Sequence, residues 1–320
     1  MHSPDATVSR NLVALPDIDS LLWTDGHRGG VQTGVTVAVA AALVFGVYLF
    51  VAKRYFERYS APAFVLFANI AGLTIYAPVA WATLPPAPLA EFDAAALALL
   101  VGSSVATGFA LLAFFRALKL GDVSYVAPIS KVVPVFVLPL EILLLDEHLT
   151  ALQVGGVVLI TVAIYVANYE PGAFLDPFRR AVTTPAARLA VASAAIFGFV
   201  DVSKRLLMQE LAVPPQVFVP VLLTTVAATM APFALRAWPE AGPRGDLPKW
   251  LGVGVLVASA QHLTAVSFQT LSASIASPLV NSQAVVAVVL GGLLLDEPRF
   301  GTRLVAAALV VAGVTLVSLP

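Results

Sequence analysis

Hydrophobic positions in this chain fall in long, nearly unbroken runs, and the charged residues gather in the breaks between them. Ten runs are long enough to count as candidate spans: 34–51, 61–82, 94–115, 123–145, 150–168, 187–203, 214–235, 250–270, 273–295 and 302–319. An apolar run of about 20 residues crosses hydrocarbon as a helix, because only there does every backbone N–H and C=O find a partner within the segment. The pattern predicts an all-α membrane protein of ten transmembrane helices, expected in a multi-pass arrangement in the cell's inner (plasma) membrane. Most connections are short, such as Asp146 to Leu149, so consecutive spans are expected to pack as antiparallel hairpins.

The runs repeat. "SYVAPISKVVPVFVLPLEILLLDE" (Ser124 to Glu147) aligns without a gap to "SIASPLVNSQAVVAVVLGGLLLDE" (Ser274 to Glu297), every pair 150 residues apart. The segment "EPGAFLDPFRR" (Glu170 to Arg180) divides the chain into five spans and five spans. The division reads as a tail over 1–30, a first five-helix repeat over 31–169, a linker over 170–186 and a second repeat over 187–320. An odd number of spans per repeat inserts the second copy upside down, the arrangement in which two halves rock about a central site.

Composition agrees with the runs and narrows the chemistry. Of 320 residues 59% are hydrophobic and 12% charged, with mean hydropathy +0.91, against about 25% charged in a soluble domain. The chain has no cysteine, which excludes disulfides, thiolate catalysis and cysteine-held metals. Its net charge of −1 leaves no basic footprint for nucleic acid. The expected partners are the lipid bilayer and a small-molecule substrate, with monomer and homodimer both open. Lysine and arginine concentrate in the loops after odd-numbered spans, which by the positive-inside rule places both termini outside.

Lys131 lies in the middle of the fourth run, between Pro128 and Pro134. A charge at mid-membrane costs about 2.5–3.5 kcal/mol on insertion scales, so it is expected to face the interior and to mark a pathway. Ser124, Pro128 and Lys131 share one helix face, and Ser274, Pro278 and Asn281 take the same places in the second copy. The prolines Pro128 and Pro278 each remove a backbone hydrogen bond and loosen the helix; a packing role fits them equally well. His262 with Gln261 is a candidate to bind substrate or carry a proton, or else is a histidine bonded to a neighbouring helix. Asn69, Ser103, Ser104, Ser277, Gln283 and Tyr125 complete the candidate cavity lining, although small polar residues also join helices.

Glu147 and Glu297 stand before the next helix, where a carboxylate suits the positive end of the dipole, and are expected to hold hairpins together. Glu141, about 6 Å of rise from its span's end, is expected at the interface. Asp201 with Lys204 and Arg205 is expected to form a salt bridge at the membrane edge. No metal site or cofactor is expected: His148 has no second histidine at ligand spacing, and the glycines at 252 and 254 lack the third glycine of a dinucleotide loop.

Ten spans in two copies, each with a fourth span of the form P-x(n)-L-x-x-x-E followed at once by another apolar helix, resemble the drug/metabolite transporter superfamily, in particular its EamA-type members. A glycine commonly precedes that glutamate in the family, where Asp146 and Asp296 stand here. The resemblance implies a secondary carrier with a central cavity lined by the first, third, fourth, sixth, eighth and ninth spans. Family members move amino acids, nucleotide-linked sugars, phosphorylated metabolites and nucleobases. "SKVVPVF" (Ser130 to Phe136) is similar to the K-x-x-P segment whose lysine meets an anionic group. The expected function is thus transport of a small polar, anionic metabolite by alternating access. The rival readings are an exporter of amino acids or hydrophobic compounds with Lys131 structural, a membrane enzyme using His262 and Asp201, and a non-transporting receptor or scaffold.

Overall fold

The structure is a computed structural model that describes residues 18–84, 92–121, 126, 129–130, 132–146, 148–167, 184–238, 243–294 and 300–319, without the side chains of 18–29, 300, 303 and 318. Lys131, Pro128, Tyr125, Glu147 and Glu297, and most of the linker, lie outside the described residues. The helices are α1 (Ile18–Tyr55), α2 (Ala61–Thr83), α3 (Ala94–Leu120), α4 (Val133–Leu145), α5 (Ala151–Ala167), α6 (Pro185–Arg205), α7 (Pro215–Arg236), α8 (Leu247–Ser267), α9 (Ala273–Asn281), α10 (Gln283–Leu294) and α11 (Phe300–Ser318). Helix α1 starts at Ile18, inside the segment read as tail. Local chemistry sets many of the starts: Ser60, Asp93 and Thr184 each accept from a backbone N–H of the first turn, and Pro62 and Pro185 occupy first-turn positions where no N–H is needed.

Seven segments are long and apolar enough to cross a membrane, one of them Ala273–Leu294, which is α9 and α10 together. The shorter apolar helices Val133–Leu145, Ala151–Val166 and Leu304–Val317 bring the number of spans to ten. The two sets of five are inverted. Arg58, after α1, is ion-paired to Asp246, before α8, while Glu141 near the end of α4 meets Arg205 at the end of α6 and the start of α9. We call the first of these faces basic and the second terminal, since α1 starts and α11 ends on the latter.

Among the described residues, most consecutive helices do not pair as hairpins. The extensive contacts run between the halves: α5 on α11, α3 on α6, α2 on α7, and α1 and α2 on α8. Among sequential pairs only α7–α8 and α10–α11 touch over any length. The reason lies in small residues placed where helices of opposite halves cross, since bare glycine lets backbones approach and gain dispersion contacts that lipid cannot supply. A Cβ on Gly72 would meet Val257 at 2.6 Å, one on Gly108 would meet Thr229 at 2.7 Å, and one on Gly254 would meet the backbone of Ala71 at 2.8 Å.

Loops on the basic face are held by aromatic and ionic contacts. Asp246 accepts from the Tyr59 hydroxyl at 2.8 Å and from Lys249 at 2.9 Å and pairs with Arg58, and Trp250 packs among Phe56, Tyr59, Phe64 and Phe67. Lys53, Arg54, Arg58, Arg116, Lys119, Arg188, Arg236, Arg244 and Lys249 are all exposed on this face. On the terminal face the described cations Lys204 and Arg205 are buried in ion pairs. A Leu319→Cys variant of this cysteine-free chain is therefore expected to react with a membrane-impermeant maleimide added outside intact cells; labelling only after lysis would reverse the orientation.

Candidate functional site

The fourth span of each half is a broken helix, and the breaks correspond. In the second half α9 ends at Asn281, Ser282 turns with φ −62° and ψ −10°, and α10 begins at Gln283. In the first half Val132, 150 residues earlier, caps α4 with φ −78° and ψ 19°. Each break falls four residues after a proline of the repeat, Pro278 or Pro128; Pro278 itself lacks only the bond to the residue four before it, and the Ser282 N–H still donates to the Pro278 carbonyl at 3.0 Å.

A cavity of about 440 Å³ lies at these breaks, enclosed by helices of both halves. Its walls are related by the repeat. Phe45, Tyr48, Leu49 and Ala52 of α1 correspond to Phe197, Val200, Asp201 and Lys204 of α6, each pair 152 residues apart, and all eight line the cavity. At a spacing of 150, Leu111 corresponds to Gln261, Phe114 to Thr264 and Val133 to Gln283, again all lining. Five apolar positions of the first half thus become polar or charged in the second. Thr107 and Ser130, which correspond to Val257 and Val280, go the other way. Inversion converts this bias into direction: the charged end lies toward the terminal face, and Tyr48, Ala52, Phe64 and Phe115 line the end toward the basic face.

The polar wall is a connected chain of groups. Lys204 Nζ donates to Asp201 Oδ1 at 3.2 Å, the Ser277 hydroxyl donates to Asp201 Oδ2 at 2.6 Å, and Asn281 Nδ2 donates to the Ser277 carbonyl at 2.9 Å. Lys204 also lies 4.8 Å from the Phe268 ring centroid, within cation–π range. The Asp201–Lys204 pair predicted from sequence is present, but it is buried in the cavity wall rather than set at the membrane edge. Arg205 takes a different partner.

That partner is Glu141, which is fully buried rather than interfacial. Its Oε1 accepts from the Ala273 N–H at 2.5 Å and lies 3.2 Å from Arg205 Nε, while Oε2 accepts from the Ser274 N–H at 2.6 Å and from the Ser274 hydroxyl. Ala273 and Ser274 open α9, so a carboxylate from the first half satisfies orphan donors at a helix start in the second, where the dipole favours negative charge. Sequence reasoning missed this because the acid lies ten residues from Lys131 on another face, and only tertiary structure brings α9 to it. The corresponding position in the second half is Gly291.

The remaining predicted residues are distributed as follows. Asn69, Gln261, Ser277, Asn281 and Gln283 line the cavity. His262 is not among the lining residues; its Nδ1 lies 2.7 Å from the Tyr76 hydroxyl. Ser103 and Ser104 are buried and hydrogen-bond back to the Leu100 carbonyl, at 3.3 Å and 2.7 Å. Pro278 is buried within α9.

Residues 32–169 and 184–319 each match the EamA-like transporter family. The chain belongs to that family. It is a multi-pass membrane protein, and family and geometry together point to a transporter rather than an enzyme. A Sinorhizobium sp. protein described as an uncharacterized transporter in the cobO 3′ region is 47% identical over 58 residues, 18% of this chain. The match spans 41% of that relative's length. A solved crystal structure at 20% identity superposes with a TM-score of 0.69, covering 90% of this chain and 98% of the other, which shows that the fold is shared.

Proposed function

We propose that this family member is a secondary carrier of the inner (plasma) membrane that moves a small polar metabolite with a negative charge by alternating access. The observation that carries the reading is the cavity between two inverted halves, with both broken helices beside it and a polar wall on one of them. Broken helices around a midplane site, between repeats that can rock, are the parts alternating access requires. Asn281, Gln261, Gln283 and Ser277 supply hydrogen bonds to the substrate. The aromatic wall of Phe45, Phe64, Phe114, Phe115 and Phe197 favours a substrate with an apolar part, the feature shared with the reading of an amino-acid or hydrophobic-compound exporter.

Lys131 follows Ser130 in sequence, and Ser130 and Val133 both line the cavity. Uptake of a panel of radiolabelled metabolites into proteoliposomes, with Lys131→Ala beside wild type, separates the two readings. If Lys131 meets the anion, uptake of the negatively charged compounds is expected to fall about tenfold or more, while an undiminished rate would assign Lys131 a structural role.

A further inference from the structure

Asp201 and Lys204 are the charged side chains in the cavity wall among the described residues, and their bonding is unequal. Asp201 is anchored on both oxygens, by Lys204 and by Ser277, which in turn is bonded to Asn281. Lys204 has one hydrogen-bond acceptor, Asp201 Oδ1, and the Phe268 ring, whereas an ammonium carries three donors. The side chain is only 10% exposed and lines the cavity, so its remaining hydrogen-bonding capacity is open to whatever fills that space. An acceptor supplied by a ligand in the cavity would meet it.

The rest of α6 describes what such a ligand looks like. Phe197, Val200, Asp201 and Lys204 fall at i, i+3, i+4 and i+7, one stripe along the helix, and all four face the cavity. The stripe runs from an aromatic ring to the ammonium over about 10 Å of helix rise. The aspartate beside Lys204 sets the charge of the guest: it repels a second negative charge, so a monoanion is favoured over a dianion.

We propose that Lys204 is an anion-binding group of the cavity and that the substrate is a monocarboxylate with an apolar body, oriented with its carboxylate toward the terminal face. The proposal rests on the carrier reading above and names its substrate class. Asp201 is a positioning residue, holding the ammonium at the wall and limiting the charge that it accepts.

The test uses the purified full chain in nanodiscs and calorimetric titration with three probes: 3-phenylpropionate, its neutral amide, and the dianion phenyl phosphate. Wild type is expected to bind the carboxylate at least tenfold more tightly than the amide and more tightly than the dianion. A double variant, Asp201→Asn with Lys204→Gln, removes both charges and orphans neither; it is expected to lose carboxylate affinity about tenfold and to leave amide affinity in place. Asp201→Asn alone is expected to improve binding of the dianion. Equal binding of acid and amide by wild type, which requires no variant, would overturn the proposal, as would unchanged carboxylate affinity in the double variant. Failure of the carrier reading looks different: proteoliposomes that bind the carboxylate with this charge dependence and move nothing across the membrane would refute transport and leave the binding assignment standing.

Discussion

Glu141→Ala is expected to destabilise the protein by about 3–5 kcal/mol, the cost of leaving a buried ionic partner uncompensated. The variant leaves Arg205 without its carboxylate in a site where that side chain is 10% exposed, and removes the acceptor of the Ala273 and Ser274 N–H groups. Glu210, 3.7 Å from Arg205 Nη1 and half exposed, is too solvated to replace it. Replacing Glu141 and Arg205 together by methionine removes both charges, and is expected to recover most of the loss that the ion pair accounts for, short of the capping bonds at α9. Thermal unfolding in detergent, followed for Glu141→Met, Arg205→Met and the double variant, yields the coupling directly. Additive losses would mean that the pair is not the source of the effect.

Gly156→Leu is expected to be comparably harmful for a steric reason. A Cβ at this position would lie 2.7 Å from the Gly313 carbonyl oxygen and 2.9 Å from the Val317 nitrogen, and backbone atoms of a packed helix cannot move aside as a flexible side chain can. Overpacking of this kind costs about 1–3 kcal/mol, and a larger side chain adds to it. The crossing joins α5 to α11, and none of their described side chains lines the cavity. Thermal stability should therefore fall while ligand affinity of the folded fraction holds. Gly155→Ala, one position earlier, places a methyl in open space and serves as the control. A Gly156→Leu protein as stable as the Gly155→Ala protein would show that the two helices separate at little cost.

The span count, the fivefold repeat and its inversion were legible because they depend on run length and on the parity of five, both written locally in the chain. Helix pairing was not. Short loops such as Asp146–Leu149 constrain which ends are near one another but leave the bodies of the helices free, and glycines such as Gly72 and Gly254 draw those bodies across to the other half. The charged wall was half legible: the spacing of Asp201 and Lys204 disclosed the pair, but its depth depends on how α6 lies against α9. Glu141 was misplaced for the same reason, since distance to the end of a span measures depth only where water follows the helix inward, and here the start of α9 covers it.

The exchange of packing partners between the two halves bears on how the protein is made. When the ribosome has released only the first five spans, their principal mates have not been synthesised, so the inserted helices are expected to wait in lipid as a loose set rather than a finished unit. Cutting the gene between the halves and co-expressing the pieces should then give an active complex, whereas either piece alone should be cleared by membrane proteases.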